Sequence, residues 1–261
     1  MTSQFETRKP PQNHQRQPAS PAARTNPDTS GAPPGYVPLP AAPKTRSPVP
    51  WLTSIHATPG RGNYGDARYR GNCSGLLVRD LLQYFRPRRA FDPMSGGGTF
   101  PDVCEELGVP CVSKDVRRGF DASDPGGFSG LGRFDFVWLH PPYWRMIRWS
   151  DDPRCLANAP TLDAFLGRLR AVFRNCRNVL WPSGVLAVLM GDHRYEGRYL
   201  GLPFRTFAAA EAEGFELAAP EIVRFSHGTT SAAEKEYPVS IIPRVHDVCM
   251  VFRPQAGGRG S

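Results

Sequence analysis

Two short stretches of this 261-residue sequence hold residue types that could do chemistry together. The first is His140-Pro141-Pro142-Tyr143, directly after the apolar run Phe134 to Leu139. Paired prolines fix the backbone, and their carbonyls meet few local N–H competitors, so the turn can hold hydrogen-bond acceptors rigidly. An exocyclic amine on a nucleobase is a poor nucleophile because its lone pair is delocalised into the ring. Accepting hydrogen bonds from both of its N–H groups draws the nitrogen toward tetrahedral geometry and aims that lone pair at an electrophile. A neutral imidazole at position 140 can accept one such bond, and a protonated one cannot. The aromatic next in line, Tyr143, offers a face on which an extruded base could stack.

The second stretch is FDPMSGGGTF, residues 91–100. Glycines directly after a strand let the backbone pass close under a ligand, and the helix that follows presents free N–H groups at its start. Asp115 ends the next predicted strand, where a carboxylate can accept both hydroxyls of a ribose. Together these features point to a nucleoside-type cofactor. A dinucleotide fingerprint would need G-x-G-x-x-G, and Gly98 is followed here by Thr99, Phe100 and Pro101, which disfavours a nicotinamide cofactor.

These residues need a scaffold, and its pattern is legible from Trp51 onward. A helix is predicted through Leu76, Leu77, Leu81, Leu82 and Phe85, capped by Asn72 or Ser74 and stopped by Pro87. Ala90 to Asp92 reads as a short strand, Val103 to Leu107 as a helix, and Cys111 to Asp115 and Phe134 to Leu139 as further strands. Leu162, Phe165, Leu166, Leu169, Val172, Phe173, Cys176, Val179 and Leu180 form one apolar helical stripe. Pro182-Ser183-Gly184 is expected to break it before a buried strand over Val185 to Met190. A helix over Phe204 to Glu213 and strands over Glu216 to Phe225 and Asp247 to Phe252 complete the reading. Strands alternating with helices imply an α/β fold, with a mostly parallel sheet and helices on both faces. Ligands in such folds sit at the carboxyl ends of the strands, where both motifs fall.

The D-P-x-x-G-x-G-T loop at 92–99 and the H-P-P-Y turn together resemble the DNA amino-methyltransferases, which modify N6 of adenine or N4 of cytosine. The resemblance spans roughly residues 60–253. It implies a Rossmann-like class I methyltransferase fold with a seven-stranded sheet, and S-adenosylmethionine as the cofactor. By that resemblance Asp92, Gly96 and Gly98, with Pro93 in the same loop, would lie beside the methionine moiety, with Asp115 on the ribose and Asp121 near the adenine amine. Asn72 and Ser74, in YRGNCSG, would touch the cofactor carboxylate. His140, Pro141, Pro142 and Tyr143 would form the catalytic turn. The family usually places Asp, Asn or Ser where this chain has His140, a departure that bears on catalytic competence. Trp144, Arg145, Arg148 and Trp149 could grip bases and phosphates, and Gly191-Asp192-His193-Arg194 resembles a G-D-x-R segment of some of these methylases.

Composition sets limits around this reading. Lys+Arg 32 against Asp+Glu 24 favours a polyanionic partner. Residues 1–50 carry twelve of the 28 prolines and few large apolar side chains, and read as a disordered basic arm. Residues 51–255 would form the catalytic domain and 256–261 a flexible tail. No apolar run approaches a bilayer span and no secretory leader is evident, so a cytoplasmic protein with reduced cysteines and no membrane partner is expected. The six cysteines form no C-x-x-C pair, and no metal is expected. None follows a proline near the turn, which argues against methylation at carbon 5 of cytosine. The expected partner is DNA with a flipped base. Specificity would come from loops 144–160 and 226–246, from a second copy of the chain, or from a separate specificity subunit. An RNA or protein-amide methyltransferase and a catalytically impaired DNA-binding relative stay open as alternatives.

Overall fold

Residues Phe134 to Leu139 and Val185 to Met190 are almost all apolar although successive strand side chains face opposite ways, so the sheet needs cover on both faces. The computed structural model describes residues 41–225, 241–242 and 244–256. Its strands are β1 (Ile55–His56), β2 (Ala90–Asp92), β3 (Cys111–Ser113), β4 (Phe134–Leu139), β5 (Leu180–Met190), β6 (Arg194–Tyr195), β7 (Arg198–Tyr199), β8 (Phe215–Leu217), β9 (Ile222–Phe225) and β10 (His246–Pro254). The helices are α1 (Gly75–Phe85), α2 (Thr99–Leu107), α3 (Leu162–Val179) and α4 (Leu202–Ala212). One sheet runs in the order β1-β9-β10-β5-β4-β2-β3, with β8 on the edge of β10, while β6 and β7 form a separate hairpin. Pairings of β1 with β9, β2 with β3 and β4, and β4 with β5 are parallel. Strand β10 runs antiparallel to β5, β8 and β9.

Strand alternation divides the core. Phe91, Phe134, Val137, Leu139, Leu186 and Val188 pack with α3 and α4 on one face. Ala90, Phe136, Trp138, Ala187 and Leu189 pack with α1 and α2 on the other. Each large side chain fully removed from water contributes roughly 1.5–3 kcal/mol. Thr161 caps α3 by accepting from the Ala164 N–H, fixing where that apolar stripe begins.

The structure departs from the sequence reading at several places, among them the start of α2 at Thr99, the end of β3 at Ser113 and the unexpected β6–β7 hairpin. The sheet has eight strands among the described residues rather than seven. The single strand expected over 216–225 is two, β8 against the end of β10 and β9 against its start. Pro220, which has no N–H to donate, lies in the bend between them. The two-residue β1 is too short to leave a pattern. Pro182-Ser183-Gly184 does not separate helix from strand: α3 ends at Val179 and β5 already begins at Leu180. Leu180 pairs with Phe134 and Val185 with Phe136, so the extra residues of β5 are taken up in a bulge. At Gly184 a Cβ would stand 2.9 Å from the Leu180 side chain and 3.0 Å from the Trp181 carbonyl, so only glycine fits there without displacement.

Residues 1–40 and 257–261 of the expected arm and tail, and most of the 226–246 loop, lie outside the described residues. Val49, within the expected arm, is fully buried, and its carbonyl accepts from the Leu52 N–H at 3.0 Å. Among the described residues no helix is long and apolar enough to cross a membrane.

Candidate active site

The chain leaves β2 toward β3 on one side and later returns to β4 on the other. The segments after β2 and β4 therefore part at this point, the place where open α/β sheets bind their ligands. Phe91 pairs with Val137, so the glycine loop after Asp92 and the turn at His140 leave neighbouring strands at nearly the same level. Two stretches well separated in sequence are thus brought together by strand pairing.

In the proline turn, His140 Nε2 lies 3.1 Å from the Tyr143 hydroxyl. Burial pushes the imidazole pKa down to about 4, with Asp247 opposing and Arg224 reinforcing that effect. His140 is therefore neutral at ordinary pH. If Nε2 carries the proton and donates to the tyrosine oxygen, Nδ1 remains an acceptor; the opposite tautomer removes that capacity. Burial pushes the Tyr143 hydroxyl pKa upward, so it stays protonated. A Cβ on Gly191, at the end of β5, would stand 2.6 Å from both the Tyr143 ring and Arg244 and would collide with Asp247. Asp247, at the start of β10, is paired with Arg224 from β9 and with Arg244. Burial raises the Asp247 carboxyl, but the two guanidiniums outweigh it and hold the group below its ordinary value. An Arg–Asp–Arg cluster thus backs the turn.

The glycine loop is organised by two aspartic acids. Asp92 is buried and accepts from the Met94 N–H at 2.9 Å. Desolvation, with Asp115 adding to it, pushes Asp92 up to about 8. Asp115 accepts from the Gly96 N–H at 2.9 Å through one oxygen, and from the Arg117 N–H at 3.0 Å and Nε at 2.9 Å through the other. Gly96 and Gly98 adopt φ of 51° and 89°, a region that favours glycine. Pro93 opens the loop. Tyr69 lies over it: a Cβ on Gly97 would come within 2.9 Å of Tyr69 Cβ. The Tyr69 ring is stacked on Trp149 at 4.7 Å with 14° between planes, and the Arg117 guanidinium sits 4.7 Å from its centroid.

No model of a protein family matches the chain, and no curated protein resembles it significantly. Among solved structures it is similar to TrmN from Thermus thermophilus, with a TM-score of 0.46 and 16% identity over 71% of this chain and 50% of that one. It is also similar to TTHA0409, from the same organism, designated a DNA modification methylase and complexed with S-adenosyl-L-methionine, with a TM-score of 0.37 and 23% identity over 54% of each chain. A third is the CcbJ methyltransferase from Streptomyces caelestis, with a TM-score of 0.40 and 13% identity over 69% of this chain and 94% of that one. The chain spans about half the length of the first two.

The remaining sequence candidates are placed as follows. Ser74 occupies the N-cap position of α1 without a side-chain cap bond, and its buried Oγ has no hydrogen-bond partner among the described residues. The Asn72 amide is spent on structure: it donates to the Asp66 carbonyl at 3.0 Å and the Tyr64 carbonyl at 3.3 Å, and accepts from the Thr99 hydroxyl. It ties the segment before α1 to the start of α2. Asp121 accepts from the Ser123 N–H at 2.8 Å and hydroxyl at 2.7 Å, which closes a local turn. Among the described residues no group of three possible ligands could hold a metal. Sequence reasoning missed Tyr69, Arg117, Arg224, Arg244 and Asp247. Arg224, Arg244 and Asp247 carried only a weak signal, as charges at the ends of apolar strand patterns.

Proposed function

We propose that the chain is an S-adenosylmethionine-dependent methyltransferase acting on the exocyclic amine of adenine (N6) or cytosine (N4) in DNA. One observation carries this reading: a neutral imidazole on a rigid proline turn adjoins a glycine loop bounded by two aspartic acid side chains, at a single switch point. The donor set fits the cofactor. Asp92 and Ser74 offer a buried carboxyl and an unpartnered hydroxyl for the charged methionine end, and Asp115 offers a carboxylate for the ribose once Arg117 yields one oxygen. The free oxygen of Asp121 would serve the adenine amine. When bound, S-adenosylmethionine supplies the electrophilic methyl group.

The protein's own residues then have defined tasks. With His140 Nε2 donating to Tyr143 Oη, Nδ1 is free to accept one N–H of the target amine. Carbonyls of the His140-Pro141-Pro142 turn supply the second acceptor, so the amine is oriented with its lone pair forward. A neutral His140 supports turnover over the reading of an impaired DNA-binding relative. The ring of Tyr143 would bear against the extruded base while its hydroxyl holds the imidazole.

The test is transfer of a tritiated methyl group from S-adenosylmethionine to duplex DNA, RNA and protein, followed by nucleoside mass spectrometry. N6-methyladenine or N4-methylcytosine in the DNA is expected. Label confined to RNA or protein would overturn the DNA assignment, and cofactor binding without any transfer would overturn the enzymatic one.

A further inference from the structure

The hairpin formed by β6 and β7 lies off the main sheet and touches the core through Tyr195. Its two-residue tip, Glu196-Gly197, has φ of 48° and 82°; positive φ at both positions gives the tight turn whose twist matches a two-stranded ribbon. Arg194 pairs with Tyr199 and Tyr195 with Arg198, so each pair shares a face. Tyr195 turns inward: its ring is 4.8 Å from that of Trp144, the residue after the turn, and its hydroxyl accepts from Arg145 at 3.2 Å. The hairpin is thereby anchored to the segment that holds the reacting group.

Arg194 and Tyr199 share the opposite face and are exposed, Tyr199 at 49% with its hydroxyl donating to the Ile242 carbonyl at 3.1 Å, and Arg198, across from Tyr195, is exposed as well. Phe204, at the start of α4, is 82% exposed, which is unusual for a large aromatic without a partner. Arg194, Arg198 and Arg205 are all exposed, with Glu196 the one acid between positions 194 and 205. Cations with aromatic side chains on a stiff ribbon match a nucleic acid's phosphates and bases. A two-stranded ribbon fits the width of a major groove, about 12 Å.

We propose that the β6–β7 hairpin enters a groove of duplex DNA next to the reacting base, with Arg194 and Arg198 on flanking phosphates or base edges and Tyr199 and Phe204 against the exposed bases. This rests on the reading of the chain as a DNA methyltransferase and names the element through which that site meets its substrate. Anchoring through Tyr195 and Trp144 would couple contact in the groove to the position of His140.

The experiment is fluorescence anisotropy of the full chain and of R194A/R198A with labelled duplex DNA, across a salt series and alongside methyl transfer. The double variant is expected to bind duplex roughly tenfold more weakly at ~0.1 M salt, with a log–log salt slope shallower by about two, while its melting temperature and S-adenosylmethionine affinity stay at wild-type values. Unchanged affinity and slope, with the wild type methylating duplex, would overturn the hairpin's role and leave the enzymatic reading standing. An equal loss on single-stranded DNA would overturn placement in a groove. No transfer to DNA by the wild type would overturn the reading beneath the proposal, and the proposal with it.

Discussion

His140 shows how far one environment can move an assignment made from residue type. An exposed imidazole would lose acceptor capacity below its ordinary pKa of about 6.5, but burial lowers this one to about 4. Methyl transfer should therefore stay level from pH 8 to about 5 and fall only near 4, measured as kcat over the range where the fold persists. An acid limb centred near 6.5 would mean that His140 is solvated or is not the acceptor. His140→Ala should lose most activity and His140→Asp keep a substantial share. Arg224→Gln should move the limb upward, because the arginine helps disfavour the imidazolium. Stability has its own pH dependence. His140 binds a proton more readily when unfolded, so stability falls as pH drops from about 6.5 to about 4. Asp92 has the opposite sign: its folded pKa of about 8 exceeds the ordinary 3.8, so stability is lost as pH rises through that interval. Asp92→Asn should flatten the decline in melting temperature between pH 6 and 9 and weaken S-adenosylmethionine binding in calorimetry. A decline as steep as the wild type's would show that the carboxyl is ionised at no cost.

At the scale of elements, much was legible where the information is local. The stripe of α3 matches its observed span from Leu162 to within a residue, and both motifs lie at the strand ends expected of them. Asn72, Ser74 and Asp121 could be named from pattern, but only the fold shows that Asn72 is a brace and Asp121 a turn former. The Arg–Asp–Arg cluster left only charges at strand ends to read, since it is the pairing of β9 with β10 and of β10 with β5 that brings its members behind the turn. That cluster makes Gly191 intolerant. Gly191→Ala should reduce turnover at least tenfold, because a Cβ there would displace Tyr143 and Asp247 together. Wild-type kinetics in this variant would mean that the turn does not depend on the cluster. The Tyr69–Trp149 stack bridges the segment before α1 and the segment after the turn, above the glycine loop. Trp149→Ala should therefore speed both association and dissociation of S-adenosylmethionine in stopped-flow measurements. Rates unchanged from wild type would place cofactor entry elsewhere.

The whole chain carries a formal charge of +8, and the basic arm adds to it. Deleting residues 1–45 should leave the melting temperature unchanged and make DNA affinity less dependent on salt. Removing residues through 50 also takes away Val49, fully buried, and should lower the melting temperature by a few degrees. Equal melting temperatures for the two truncations would mean that Val49 contributes no packing. Composition showed the polar character of the arm, but not the residue at which burial resumes, since one valine among prolines leaves no periodicity to read. A last consequence follows from the place of β10. This strand, residues 246–254, lies in the interior of the sheet, joined to β5, β8 and β9. During synthesis the central gap in the sheet stays open until residues near 250 have emerged, and β5 waits with one edge unpaired. The same strand delivers Asp247 to the back of the proline turn. Translation arrested before this point would leave an exposed strand edge and an unsupported His140, so the site is assembled only in chains whose sheet has closed.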